Sequence, residues 1–353
     1  MSGGTVEHVA FGRRRLGPGE PCYVIAEAGS NHNGHLPTAI ALIDAAADAG
    51  ADAVKFQVFR AKRLYPTTAG VSDYLGRAES IFDIIAAMEM PYEWLPQLQA
   101  HCRARGVDFL ASAFDEESAD HLEPFVDVCK IASYEMTHVP LIQHVARSGK
   151  PVIMSTGTAT LDEVAESVAA FRDAGGRSLV LMQCTAAYPS PPEALNLRAI
   201  PTMAEAFGVP AGLSDHSRDP IIGPVAAVAL GACTIEKHFT LSNRLPGPDH
   251  AFAVEPQELA AMVAAIRHAE RTLGTGAKQV LGVEEELRAF ARRSIFTLRA
   301  IAAGEPFSRD NIAVLRCGKN APGLPPRDFP RVLTARAARA LPAGVAVQDS
   351  DRA

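Results

Sequence analysis

A lysine is almost never buried in an apolar strand without an anion to hold its charge. Two lysines stand in such runs here, Lys55 within DAVKFQ (52–57) and Lys130 within DVCKIAS (127–133). Each therefore needs a carboxylate or phosphate partner. A structural ion pair with a core carboxylate would satisfy either lysine alone. Two lysines at equivalent strand ends, with the hydroxyls of Ser112, Ser133, Ser155 and Ser214 expected nearby, favour a bound phosphate or carboxylate. Ammonium and hydroxyl groups together satisfy anionic oxygens well.

His216 closes the run SDH (214–216) and His238 the run EKH (236–238). Alone, either reads as a core histidine or a general acid. On neighbouring strand ends, the two could share a metal, with Asp215 and Glu236 orienting ligands or water around it. Two imidazoles with oxygen donors suit manganese, iron, cobalt or zinc, and magnesium less readily. The loop EAGSNHNG (27–34) is rich in turn formers. It either caps the helix that begins near Leu36 or lets Asn31 and Asn33 orient a substrate, and the residues alone leave both open.

The elements that must position these groups follow from alternation. Strand-like runs at 22–29, 53–59, 107–114, 126–133, 151–157, 178–185, 211–216 and 233–239 alternate with Ala/Leu-rich amphipathic stretches. Many runs are apolar at successive positions, as in parallel strands buried on both faces. Helix punctuation is clear: the stretch 36–49 ends at Gly50, Thr160 and Glu163 form a capping-box pattern, and the stretch 255–273 ends at Gly274. Eight strand–helix units in about 275 residues predict an α/β fold, a (β/α)8 TIM barrel. An open doubly wound sheet would favour a GxGxxG first turn, which is absent. Barrel active sites lie at the C-terminal ends of the strands. Glu27, Lys55, Gln57, Ser112, Lys130, Ser133, Glu135, Ser155, Tyr188, Ser214, His216 and His238 all fall at or just beyond such ends.

After Ser294 the pattern changes to short β-runs with Gly and Pro turns. The expected organisation is a barrel domain (1–280), a linker (281–292) and a small, mainly β domain (293–353). A domain that small leans on a partner surface, which suggests docking or dimerisation. The formal net charge of -6 argues against general nucleic-acid binding. The six cysteines lack CxxC spacing and read as reduced core thiols. The N-terminal stretch lacks the apolar segment of a secretory signal, and no apolar run reaches membrane-span length. A soluble, cytoplasmic protein with no membrane partner is expected.

Several motifs occur together: IAEAGSNHNG (25–34), GADAVKFQVF (50–59), CKIASYEMTHVPLI (129–142), GKPVIMSTGTAT (149–160), QCTAAYPSPPEALNLRAI (183–200), GLSDHS (212–217), ALGACTIEKHFTL (229–241) and GPDHAFAVEP (247–256). With them the chain resembles the sialic acid (N-acetylneuraminate) synthase family, in which a TIM barrel precedes an antifreeze-like (SAF) domain. The C-terminal RRSIFTLRAIAAGEPFSRDNIAVLRCGKNAPGL looks like that module. The resemblance implies condensation of phosphoenolpyruvate with an amino-sugar aldehyde. It implies a phosphoenolpyruvate pocket of Lys55, Ser112, Lys130, Ser133, Ser155, Tyr188 and Ser214. It implies a divalent metal, manganese ahead of magnesium or cobalt, on His216 and His238. The sugar would meet Gln57, Glu135, Tyr188 and Asp249, and Arg316 would enter the partner subunit's barrel in a domain-swapped homodimer. Lys55 and Lys130 would stabilise the anionic groups, and Glu27 or Glu135 would be the general base.

Ala186, Arg218, Asp219 and Cys317 depart from the family pattern, with Arg218 and Asp219 expected near the site. The motifs conflict over the acceptor. KIASYEMTHVPLI and AFAVEP look pseudaminic- or spore-coat-like, and GPDH looks N-acetylneuraminate-like. Because Asp249 and His250 are polar, an N-acetylmannosamine-like acceptor that keeps its 6-hydroxyl is expected. The alternatives are a pseudaminic or legionaminic synthase using a 6-deoxy-diacetamido hexose, and a related synthase with a non-sialic aldehyde. A catalytically dead binding module should have lost a key lysine or histidine, and neither is lost. A complete synthase on the same chain argues against an ice-binding role.

Overall fold

The computed structural model of the chain describes residues 6–12, 14–71 and 78–353. Residues 1–5, part of the N-terminal stretch read for a secretory signal, lie outside the described residues. The described chain forms two compact units, the first ending at Gly274. No helix among the described residues is long and apolar enough to cross a membrane.

The first unit opens with a short antiparallel hairpin, β1 (Val9–Phe11) and β2 (Arg14–Leu16). Eight parallel strands follow: β3 (Tyr23–Gly29), β4 (Ala53–Val58), β5 (Asp108–Ala113), β6 (Cys129–Ile131), β7 (Val152–Ser155), β8 (Leu179–Cys184), β9 (Ala211–Asp215) and β10 (Thr234–His238). They pair in chain order, and β10 closes the barrel by pairing with both β3 and β9. This is the predicted TIM barrel.

Burial on both strand faces explains the apolar runs. Outward residues such as Val24, Val54, Phe56 and Ile235 pack under helices, including Leu36–Asp48 and Pro256–Leu273. Inward residues of the lower barrel, among them Tyr23, Ile25, Leu110, Ile153 and Met182, form one cluster with Val9, Phe11 and Leu16 of the hairpin. The hairpin thus closes the N-terminal end of the barrel. The predicted strand 126–133 is shorter in the structure, because Ser133–Glu135 turns at once into a 3-10 helix. That turn swings Glu135 inward.

The second unit begins at Thr275. It holds the helix Glu285–Ala291 and an antiparallel pair, β11 (Arg293–Thr297) and β12 (Ile312–Arg316). Isolated bridges tie these to the C-terminal turns around a core that includes Ile295, Phe307, Ile312, Leu341 and Val347. All six cysteines are free thiols, as expected.

Candidate active site

Both strand lysines lie inside the barrel and are about 2% exposed, so their charges must be met locally. Lys55 Nζ lies 2.8 Å from Glu27 Oε2 and 3.4 Å from Glu236 Oε1, and donates to Ser112 Oγ at 3.0 Å. Burial works against its charge, but Glu236 and Glu27 outweigh that and raise its pKa. The core-carboxylate explanation is therefore realised for Lys55. Lys130 differs. Its Nζ donates to Ser155 Oγ at 2.6 Å and to the Ile131 carbonyl at 3.0 Å, with no carboxylate in ion-pair range among the described residues. Burial holds its pKa below the ordinary lysine value. Lys130 is thus a buried cation whose neighbours are neutral oxygens.

The carboxylates around the lysines are partly unspent. Gln57 Nε2 donates to Glu27 Oε1 at 3.1 Å, and Ser214 Oγ donates to Glu236 Oε1 at 3.3 Å. Glu236 Oε2 and Glu135 Oε2 are buried without a hydrogen-bond partner. Burial lifts the Glu135 carboxyl to about 7. Buried polar atoms are nearly always satisfied, so these two point to water or a ligand at the barrel mouth. Ser133 Oγ accepts from the Gly157 amide at 3.1 Å. A Cβ on Gly157 would sit 2.7 Å from that oxygen and 3.0 Å from Cys184 Sγ, so only glycine fits there.

The histidines form the second half of the site. Their rings lie 5.2 Å apart, and Tyr188 packs 4.2 Å from the His216 ring. His216 Nδ1 donates to the Thr185 carbonyl at 2.9 Å, which leaves Nε2 for another partner. His238 Nδ1 is buried and unpartnered, 3.7 Å from Asp249 Oδ2. Burial, with His216 and the lysines nearby, pushes His238 well below the usual histidine pKa, so it is neutral. Among the described residues no three His, Cys, Asp or Glu side chains converge as a metal-holding group. A neutral imidazole with an orphaned nitrogen beside a second imidazole still fits two ligands of a catalytic metal whose other positions are open to water and substrate.

Gly29, at φ 53°, brings the end of β3 under Asp249, where a Cβ would lie 3.4 Å from Asp249 Oδ2 and 3.5 Å from Glu27 Oε1. Glu27, Gln57, Asp249 and His238 thus meet at one wall. Phe252 packs 5.2 Å from His238 and 5.4 Å from Tyr188, an aromatic wedge that no sequence spacing announces. Arg316 ends β12 in the second unit, exposed and opposite Arg293. Cys317 beside it is buried and donates to Ser294 Oγ at 3.3 Å.

Several sequence expectations change. Asp215 does not orient the histidines: its Oδ2 holds the buried Lys237 Nζ at 2.7 Å and its Oδ1 accepts from the Ser217 amide. Glu236 Oε1 serves Lys55 and Ser214, while its Oε2 stays free beside the histidines. Arg218 is bidentate to Glu258 at 2.9 Å to each oxygen, and Asp219 Oδ1 accepts from the Ile221 and Ile222 amides at the next helix. Neither of these two departures faces the site chemistry. His250 is fully buried and fully engaged, so it offers nothing to an acceptor hydroxyl. Cys184 Sγ, 3.8 Å from His216 Nδ1, was not anticipated, since a lone cysteine closing an apolar strand carries no signal.

Comparison with known proteins agrees with this fold. The NeuB family model matches residues 42–278 and the SAF domain model residues 292–351. The chain is 46% identical to the spore coat polysaccharide biosynthesis protein SpsE of Bacillus subtilis, covering 95% of this chain and 94% of that protein. It is 38% identical to the N,N'-diacetyllegionaminic acid synthase of Legionella pneumophila, covering 94% and 95% of the two chains. The crystal structure of the N-acetylneuraminic acid (sialic acid) synthetase of Leptospira borgpetersenii superposes with a TM-score of 0.73 at 32% identity, covering 80% of this chain and 96% of that one. A TIM barrel with an SAF domain, matched by the NeuB model across well over half of the chain and by the SAF model beyond it, places this chain in the NeuB family of synthases.

Proposed function

We propose that the chain condenses phosphoenolpyruvate with the open-chain aldehyde of an N-acetylhexosamine, N-acetylmannosamine-like, to give a nine-carbon nonulosonic acid and inorganic phosphate. The observation that carries this reading is Lys130, a buried cation hydrogen-bonded to neutral oxygens and, among the described residues, without a carboxylate in ion-pair range, beside the hydroxyls of the Lys55 cluster. Such a pocket is electrostatically incomplete until an anion enters. In the reaction, carbon 3 of phosphoenolpyruvate attacks the aldehyde carbon and positive charge develops at carbon 2. Water adds there, and the tetrahedral adduct expels phosphate by C–O cleavage. Lys55 and Lys130, with Ser112, Ser133, Ser155 and Ser214, hold the anionic groups as preorganised donors. Glu135 suits the removal of the water's proton better than Glu27. Burial lifts both carboxyls to about 7, but Glu27 Oε2 is committed to Lys55 whereas Glu135 Oε2 is free.

His216 and His238 would hold a divalent metal, manganese ahead of magnesium or cobalt, which supplies Lewis-acid polarisation of the aldehyde oxygen. Gln57, Glu135, Tyr188 and Asp249 would meet the sugar. In this reading the protein works in the cytoplasm as a domain-swapped homodimer, with Arg316 serving the acceptor site of the partner subunit. Sedimentation of the full chain and the acceptor KM of Arg316→Ala test the assembly: a monomer, or an unchanged KM, counts against it.

A second acceptor is favoured by one observation, the 38% identity to a legionaminic acid synthase along nearly the whole chain. With His250 committed elsewhere, only Asp249 remains of the polar pair that favours a 6-hydroxyl. The deciding assay measures phosphate release with N-acetylmannosamine and with 6-deoxy-diacetamido hexoses. Turnover only with the latter replaces the acceptor named here, and release with none of them leaves a non-sialic aldehyde.

A further inference from the structure

Two loops supply the site with groups that do not sit on strands. The loop at 29–34 follows β3, and the segment 240–253 follows β10 and carries Asp249 and Phe252. One side chain joins them. His250 is fully buried, yet both ring nitrogens are bonded: Nδ1 lies 2.6 Å from Thr240 Oγ1 and Nε2 lies 3.2 Å from Asn33 Oδ1. An amide oxygen only accepts, so Nε2 carries a proton, while Thr240 Oγ1 pairs with Nδ1 and also lies 3.2 Å from the Ser242 carbonyl. Both ring nitrogens are thus committed within the two loops. Asn243 Nδ2 also donates to the His250 carbonyl at 2.6 Å and to the Ala253 carbonyl at 2.8 Å, which holds the turn next to Asp249 and on both sides of Phe252. Gly247 packs so closely that a Cβ there would lie 2.7 Å from His250 Cδ2. Asn33 itself sits at φ 51°, a backbone position held in place by its surroundings.

We propose that His250 is a positioning residue for the acceptor, a pin between the 29–34 and 240–253 loops that fixes Asp249 against His238 and Phe252 against Tyr188. It touches no reacting atom. Among the residues expected to meet phosphoenolpyruvate, Tyr188 is the one group shared with the sugar. The charged and hydroxyl donors, Lys55, Ser112, Lys130, Ser133, Ser155 and Ser214, sit on β4, β5, β6, β7 and β9 or close behind them and do not depend on the pin. Its loss should therefore act on one substrate only. A side chain that merely filled the core would shift both substrates together or neither.

The kinetic arm of the test rests on the condensation reading above, and a second arm does not. His250→Leu keeps most of the volume and removes both bonds. Asn33→Gly keeps the positive φ and removes the acceptor oxygen. With the full chain, His250→Leu should raise the acceptor KM by roughly 10- to 100-fold, as misplacement of positioning groups does, and leave the phosphoenolpyruvate KM unchanged. Asn33→Gly should go the same way, and the double variant should be no worse than His250→Leu, because both cut one link. His250→Gln, which retains a donor for Asn33, should recover part of the loss. Independently, hydrogen exchange at 30–35 should accelerate in His250→Leu. Equal rises in both KM values, additive variants, or wild-type exchange at 30–35 would each overturn the pin. If the wild-type chain turns over no amino-sugar aldehyde, the condensation reading fails and the exchange measurement alone decides the pin.

Discussion

The two ends of the barrel bury charge in opposite ways. At the N-terminal end, Asp52 Oδ1 meets Arg14 at 2.7 Å, while Oδ2 meets Arg267 at 2.6 Å and accepts from the Val24 amide at 2.8 Å. The Tyr23 hydroxyl donates to Asp108 at 2.6 Å. These carboxylates are matched by cations or donors. At the C-terminal end, Lys130 has no carboxylate in ion-pair range among the described residues, and Glu135, Glu236 and His238 keep orphaned atoms. A satisfied network of charges holds a fold together, whereas an unsatisfied one stores capacity for a ligand. Substitutions at the two ends should therefore separate stability from activity.

The largest effect belongs to the histidines. His216→Ala or His238→Ala should reduce phosphate release by roughly a thousand-fold or more, on the several kcal/mol that a polarised carbonyl contributes. The thermal midpoint should fall less in His238→Ala, which removes an orphaned nitrogen, than in His216→Ala, which leaves the Thr185 carbonyl without its donor. Full turnover after exhaustive chelation would remove the metal from this account.

Next come the two lysines, which differ from each other as the two barrel ends do. Lys55→Met should weaken phosphoenolpyruvate binding and also destabilise the fold by roughly 3–5 kcal/mol, because Glu27 and Glu236 lose their cation. Lys130→Met should weaken binding by about tenfold to a hundredfold with little or no cost in stability. Calorimetric titration and denaturant unfolding of both variants check this. Equal stability losses would show that Lys130 has a structural partner after all.

At the satisfied end, Asp52→Ala should cost roughly 3 kcal/mol of stability and leave both KM values unchanged. A kinetic defect there would break the division between the two ends.

The Glu135 carboxyl gives a smaller, pH-resolved effect. Its pKa is raised from 4.5 in the open chain to about 7 in the fold. The folded state therefore holds a proton that the unfolded chain has lost, and the carboxyl's contribution to stability declines as pH rises through that window. Glu135→Gln should gain stability relative to the parent between pH 4.5 and about 7, then level off. Parallel stability curves for the two proteins would mean that this carboxyl ionises normally. The smallest effect is Thr160→Ala. Its hydroxyl accepts from the Glu163 amide at 3.3 Å and Glu163 returns a bond to the Thr160 amide, so the loss should be about 1 kcal/mol by thermal melting.

Most of the barrel and much of the site were legible in the sequence, because both rest on strong local signals. Lysine inside an apolar strand is costly enough to stand out, and so are histidines closing adjacent strands. What stayed hidden depends on contacts distant in the chain. The β1–β2 hairpin is too short to show periodicity, and it makes sense only against residues such as Tyr23 and Met182 that form the barrel interior. Which carboxylate pairs with Lys55, and that Asp215 faces Lys237 instead of the histidines, follows from strand register and inward or outward pointing. His250 looked like a substrate-facing group because polarity alone does not reveal whether a side chain is already bonded.

The closed floor of the barrel has a consequence for how the chain acquires its shape. Closure pairs Tyr23 with Thr234, and the floor cluster joins Phe11 to Cys233. Contacts between such distant parts of the chain form slowly, since loop-closure entropy is spent before they reward it. During synthesis, Phe11 and Leu16 leave the ribosome long before the last strand that completes their resting place. The nascent chain therefore carries an uncovered apolar hairpin until β10 arrives, and it is in that interval, before closure, that chaperones and aggregation compete for it.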